Sequence, residues 1–179
     1  MAKVASENKV YEYFKVSEVY INGRFKEYVD KLWTQNKIQE SMIKRLVDLY
    51  AIAAVVGLRI NRRLEDDKKD SDDKRTVQLM QLTDAYQTLS TIMKLVLILD
   101  ESRNLSDEER VRSAFRIPET REEHDANMEL FNSYARGGIE YMYQQLVLRV
   151  TDVDDEHDDA RINNIIAFMK NPMTADSIG

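Results

Sequence analysis

Phe131-Asn132-Ser133-Tyr134-Ala135-Arg136-Gly137-Gly138-Ile139-Glu140-Tyr141 places two adjacent glycines inside a strong helical pattern. Leu130, Tyr134, Gly138 and Tyr141 recur at steps of four, four and three, which is one face of a helix. Each interior glycine costs a helix about 1 kcal/mol relative to alanine. A pair kept there answers to something that comes close to the backbone. One reading is a second helix of the same chain, whose axis approaches where side chains are missing. The other is an outside partner that uses the same space. That second reading makes Tyr134, Arg136, Gly137, Gly138 and Tyr141 a candidate partner surface.

The neighbouring segments are helical too. Ile43, Leu46, Tyr50, Ala53, Val56 and Ile60 form a continuous stripe that predicts a helix from about Ile38 to Asn61. Leu49, Ile52 and Val55 widen the stripe until its second half is apolar nearly all round, as in a central helix. Gly57 within it permits a close neighbour. Tyr86, Leu89, Ile92, Met93, Val96 and Leu97 predict a second core helix, capped by Asp84 and ending near Asp100. Ser106 with Glu109, and Thr120 with Glu123, read as capping boxes. The first opens a short helix that ends before Pro118. The second opens the longest helix, Arg121 to Val150, which carries the glycine pair. A last helix holds Ile162, Ile165, Ile166, Phe168 and Met169. It is capped by Asp158 or Asp159 and stopped by Pro172.

The remaining segments are less regular. Residues 1–15 are polar and mixed and read as frayed. Val16 to Ile21 alternates, and Asn22-Gly23 is a turn signal that permits a hairpin. Phe25, Val29, Leu32 and Trp33 have helical spacing and favour a helix from Gly23 to Gln35. Leu64 to Lys74 is a solvated loop, with residues 65–74 expected to be mobile and Lys68, Lys69 and Lys74 its protease targets. Thr76 to Leu82 fits a short strand or the start of the next helix. The expected fold is a single all-α domain over residues 1–179, a bundle of about six helices with a tail at 171–179.

Composition agrees. Only 5 Gly and 2 Pro punctuate 179 residues, and 32% of them are charged, above the usual quarter or so. A net charge of -6 argues against bulk attraction to nucleic acid or to an anionic membrane. The absence of cysteine excludes disulfides, zinc–thiolate sites and thiol nucleophiles. The N-terminus is too polar for a signal peptide. The longest apolar runs, Leu49 to Leu58 and Leu95 to Leu99, fall well short of the ~20 residues that span a bilayer. These features lead to the expectation of a cytoplasmic protein without membrane contact.

Chemistry-bearing patterns are few. The acidic run from Asp152 to Asp159 invites a calcium loop, but His157 and Asn163 stand where such a loop needs glycine and glutamate. The run reads as a solvated connector. His124 and His157 are the two histidines, neither in a metal-ligand pattern, and His124 is expected to be exposed in a first helical turn. No phosphate-binding glycine loop or nucleophile elbow appears. The expectation is therefore no catalytic residue, no cofactor and no metal. Arg59, Arg62 and Arg63 follow the apolar helix and are candidate phosphate contacts. They serve equally well to satisfy the negative end of their own helix. Arg110, Arg112, Arg116 and Arg121 interleave with glutamates and read as a solvated face.

Two stretches together carry a resemblance. Leu46-Val47-Asp48-Leu49-Tyr50-Ala51-Ile52-Ala53-Ala54-Val55-Val56-Gly57-Leu58-Arg59 resembles the opening of a small helical family encoded beside bacterial DNA-phosphorothioation (dnd) genes. Phe131 to Tyr141 resembles that family's Tyr-Ala-x-Gly-Gly-Ile-Glu closing motif. The resemblance covers about half of the chain, and residues 1–35 and the Asp/Lys loop have no counterpart in it. It implies a helical accessory protein of an anti-phage defence locus, and it carries over no catalytic residue. The expected function is a non-enzymatic interaction protein with a protein partner. The alternatives are a factor that binds nucleic acid weakly through Arg59, Arg62 and Arg63, and a hydrolase with a carboxylate site.

Overall fold

In the computed structural model, which describes residues 10–33, 42–67, 73–149 and 160–170, the chain is all-α apart from one small sheet. The order is β1 (Val19–Asn22), α1 (Gly23–Leu32), α2 (Leu46–Arg59), β2 (Lys74–Val77), α3 (Leu79–Asp84), α4 (Tyr86–Leu99), α5 (Asp107–Phe115), α6 (Arg121–Tyr143), a π-helical turn (Gln144–Leu148) and α7 (Ala160–Lys170).

The packing of α2 against α6 is the most extensive in the molecule, and glycine sets its distance. A β-carbon on Gly138 would stand 1.8 Å from the carbonyl oxygen of Ala53, and one on Gly57 would stand 1.9 Å from that of Tyr134. Each helix therefore presses its backbone onto the other where the partner has no side chain. Ala53 and Ala54, both fully buried, keep the rest of the α2 face thin. Gly137 meets a different neighbour. A β-carbon there would stand 2.0 Å from the carbonyl oxygen of Arg62, in the strap that leaves α2 and crosses α6. The strap is held by the Leu64 N–H, which donates to Ser133 (3.0 Å), and by Arg136 Nε, which donates to the Leu64 carbonyl (2.8 Å). Adjacent helical residues point about 100° apart, so the pair serves two contacts within the chain.

α2 ends in a Schellman arrangement. Asn61 takes the left-handed conformation (φ 51°). Its N–H donates to Leu58 (3.1 Å), and the Arg62 N–H donates to Gly57 (2.9 Å). The helix begins at Leu46, later than the expected Ile38. Arg45 is extended (φ -121°, ψ 139°), and its guanidinium turns forward to Asp48 at 2.6 and 2.8 Å. Trp33 Nε1 donates to the Lys44 carbonyl (3.2 Å), which fixes this non-helical approach. Residues 34–41 lie outside the described residues.

Other boundaries also shift. Asp84 is the last residue of α3, and Ala85 (φ -91°, ψ 8°) separates α3 from α4. The Ser106–Glu109 capping box forms as expected. At Thr120 half of it forms: Thr120 Oγ1 accepts from the Glu123 N–H (3.1 Å), but the Glu123 carboxylate accepts from the Glu119 N–H (3.1 Å) and pairs with Arg116. Asn22-Gly23 makes no hairpin. β1 pairs antiparallel with the distant β2, Val19 opposite Val77, and Gly23 (φ 54°) starts α1. Thr76 to Leu82 proves to be the end of β2 followed by α3. Lys74 belongs to β2, and Asp67 accepts from the Arg24 N–H (3.1 Å), so the expected mobile loop is pinned at both ends. Lys68 and Lys69 lie outside the described residues, as do 1–9, 150–159 and 171–179, where the acidic run, its caps and Pro172 fall. The expectation of fraying fails at Phe14, which is 1% exposed and meets the Phe131 ring edge-on at 5.1 Å. Among the described residues no helix is long and apolar enough to cross a membrane.

Candidate functional site

The apolar excess of α2 and α4 is larger than the core uses. Ile52 and Val55 on α2, and Leu95 and Leu99 on α4, stay between 43 and 57% exposed, although they belong to two of the most apolar helices. Each pair has helical spacing, so each helix presents a short ridge. Between α2 and α4 lies an open groove of about 760 Å³, walled by Val55, Leu58, Leu95 and Leu99. Arg59 and Arg63 stand at one end, with Ser102 and Tyr134 lining it beside them.

Next to this end sits a buried carboxylate. The Asp100 side chain, at the end of α4, has no exposed surface. The Tyr134 hydroxyl donates to it at 2.9 Å, and the Ser102 hydroxyl lies 2.9 Å from both of its oxygens. Arg103 Nε stands at 3.3 Å and Arg63 Nη1 at 3.6 Å. Arg103 also donates to the Leu97 carbonyl (2.8 Å) and to Asn127 (3.3 Å), and Asn127 donates to the Tyr13 hydroxyl (2.7 Å). A buried charge is tolerated when its lone pairs are met in this way. Burial, together with the hydrogen bond to Asp100, pushes the Tyr134 phenol well above its ordinary range, so it stays a neutral donor.

The network also aims Arg63. Its Nη1 donates to Ser102 at 2.5 Å, and its guanidinium lies over the Tyr134 ring at 5.8 Å. Arg59 is exposed and makes no hydrogen bond or ion pair among the described residues. Arg62 is drawn away from both: it pairs with Glu140 and donates to Gln144 (3.4 Å). The three arginines therefore do not converge, and only Arg59 and Arg63 share the groove.

The candidate partner surface on α6 is not a surface. Tyr134, Gly137, Gly138 and Tyr141 are buried beneath α2, the Arg62 strap and neighbouring side chains, with Tyr141 facing the Phe168 ring at 6.1 Å. Arg136 is 8% exposed and is spent on Leu64 and Glu129. Close packing within the chain accounts for the motif, and of this set only Tyr134 reaches the groove. His124 is buried as well, contrary to expectation. It is 3% exposed, stacks on Tyr13 at 5.6 Å and holds Asp125 through Nδ1 at 2.9 Å.

In chemical terms the groove offers apolar walls and guanidinium donors. Ser102 has a carboxylate beside it but no imidazole among the described residues, since His124 lines a different, smaller cavity of about 240 Å³. Among the described residues no cluster of His, Cys, Asp and Glu side chains is placed to hold a metal ion. The reading of the sequence overlooked Asp100, Ser102, Leu95 and Leu99 as a site. One signal was available: Leu95 and Leu99, four residues apart, are the leucines of α4 that lie off its buried stripe. Comparisons of the chain with protein-family models, curated proteins and solved structures gave no match.

Proposed function

We propose that this chain is a non-enzymatic interaction module that receives a protein segment in the groove between α2 and α4. The observation that carries this reading is the set of exposed apolar side chains, Val55 on α2 and Leu95 with Leu99 on α4, that line an open groove. Scattered surface apolar residues need no explanation, but exposed apolar side chains from two helices that line one concavity favour a docking site. The setting, an accessory role in a prokaryotic DNA-modification or anti-phage defence system, rests on the sequence resemblance alone. Nucleic-acid binding is weaker, because Arg62 is committed to Glu140 and the net charge is -6.

The test is the double substitution Val55→Asp with Leu95→Asp. Both side chains are exposed enough for the fold to tolerate the change, so the thermal melt is expected to hold while capture of the native partner is lost. Unchanged capture of the same partner refutes docking in this groove. The setting has its own test: deletion of the gene is expected to weaken phage restriction in the native host.

A further inference from the structure

The groove has a direction. On α2, Val55 and Arg59 follow one another at helical spacing, so the apolar wall gives way to a guanidinium after about one turn, about 6 Å. Arg63 stands at the same end. The usual reason for arginines at the end of a helix is to satisfy its last carbonyls. Here backbone does that work: Gly57 and Leu58 accept from the N–H groups of Arg62 and Asn61. Arg59 has no partner among the described residues. Arg63 is held by Ser102, Asp100 and the Tyr134 ring through one nitrogen and one face. One exposed acid, Glu101, lines the same end, but it turns toward Arg110 at 3.8 Å.

We infer that the groove between α2 and α4 recognises an acidic amphipathic helix. Its apolar anchors lie between Val55, Leu95 and Leu99, and its carboxylate lies against Arg59 and Arg63. The inference rests on the docking reading above and adds the charge and direction of the partner. A pre-aimed guanidinium loses little freedom on pairing, and the free one beside it supplies a second donor set for the same carboxylate. The chain is acidic overall, so this local basic end also sets orientation: a partner laid in reverse carries its carboxylate away from Arg59 and Arg63, the two cations that line the groove among the described residues.

The experiment uses two labelled synthetic helical peptides with the same leucines at helical spacing. One carries glutamates beyond the last leucine and the other carries lysines there. Fluorescence anisotropy reads their binding to the full chain, to Arg59→Glu and to Leu95→Asp. The glutamate peptide is expected to bind about five-fold or more tighter than the lysine peptide. Arg59→Glu is expected to reverse that order, and Leu95→Asp to weaken both. High salt is expected to shrink the difference between the peptides. Equal binding of both peptides, indifferent to Arg59→Glu but lost in Leu95→Asp, overturns the charge inference and leaves docking in place. Failure of both peptides overturns the inference too, while docking itself is judged by capture of the native partner. Tighter binding of a labelled single-stranded oligonucleotide than of the glutamate peptide, abolished by Arg59→Glu, replaces the acidic helix with nucleic acid.

Discussion

Gly137 lies directly beneath Arg62, where a β-carbon would stand 2.0 Å from the Arg62 carbonyl oxygen. Its neighbour Gly138 bears the same relation to Ala53, at 1.8 Å. The adjacent glycines thus admit two different backbones on two sides of α6. Alanine at either position gains about 1 kcal/mol of helix propensity. It also forces apart main-chain atoms that cannot rotate away as a side-chain tip can. Overpacking typically costs about 1–3 kcal/mol and sometimes more. Gly138→Ala and Gly137→Ala are therefore both expected to lower the melting temperature, with no milder outcome at Gly137. A rise in melting temperature for either mutant contradicts the packing described.

The Asp100 network makes a graded set of losses. Tyr134→Phe removes one donor and leaves the serine and two arginines in place, at a cost of about 1 kcal/mol. Asp100→Ala leaves the Tyr134 hydroxyl and the Nε of Arg103 without their acceptor, at a cost of about 3 kcal/mol. Denaturant titration of the two variants reads the difference. Equal costs argue that Asp100 is held by something other than these donors.

Much of the architecture is legible in the sequence, and the site is not, for physical reasons. Helical periodicity survives in any context, so the stripes of α2, α4 and α6 and the end of α5 before Pro118 read directly. Boundaries depend on contacts the chain does not announce: the Arg45–Asp48 pairing and the Trp33–Lys44 hydrogen bond shorten α2. The glycine pair marked a close approach but not whose. An intrachain strap and a foreign partner demand the same absent side chain, and only the position of Arg62 tells them apart. Asp100 reads correctly as the end of α4, but its burial does not read, because Arg63 and Tyr134 reach it from segments distant in sequence. His124 read as solvated since its sequence neighbours are acids, while Tyr13, which covers it, is distant in sequence.

Alkaline pH gives a test through the phenols. Burial pushes the Tyr50 hydroxyl well above its ordinary range, and it donates to Asn132 at 2.6 Å. Tyr134 is raised by burial and by donation to Asp100. In the unfolded chain both release their protons near pH 10. The folded chain retains them, so above about pH 10 it binds more protons than the unfolded one. Stability is full below that pH and falls as the pH rises beyond it. Of the 9 tyrosines, Tyr50 and Tyr134 are expected to ionise only with unfolding. Phenolate absorbance followed alongside circular dichroism reads this. Ionisation of every tyrosine at one pH, with helix content unchanged, refutes it.

Phe14 tests whether the segment before β1 is part of the core. It is 1% exposed, faces Phe131 at 5.1 Å, and holds a left-handed backbone (φ 61°) that bulky residues rarely adopt. A residue kept in that conformation is held there by its packing. Phe14→Ala removes an aromatic ring from a site closed by Phe131, which itself touches Tyr50 at 5.2 Å. The expected loss is about 3 kcal/mol or more, the usual range for a buried phenylalanine. Phe14→Gly relieves the backbone strain but makes the same cavity. It is therefore expected to lie close to the alanine variant and never near the wild type. Thermal melts of both decide the matter, and a loss below about 1 kcal/mol in Phe14→Ala would return residues 10–15 to the frayed status their composition suggested.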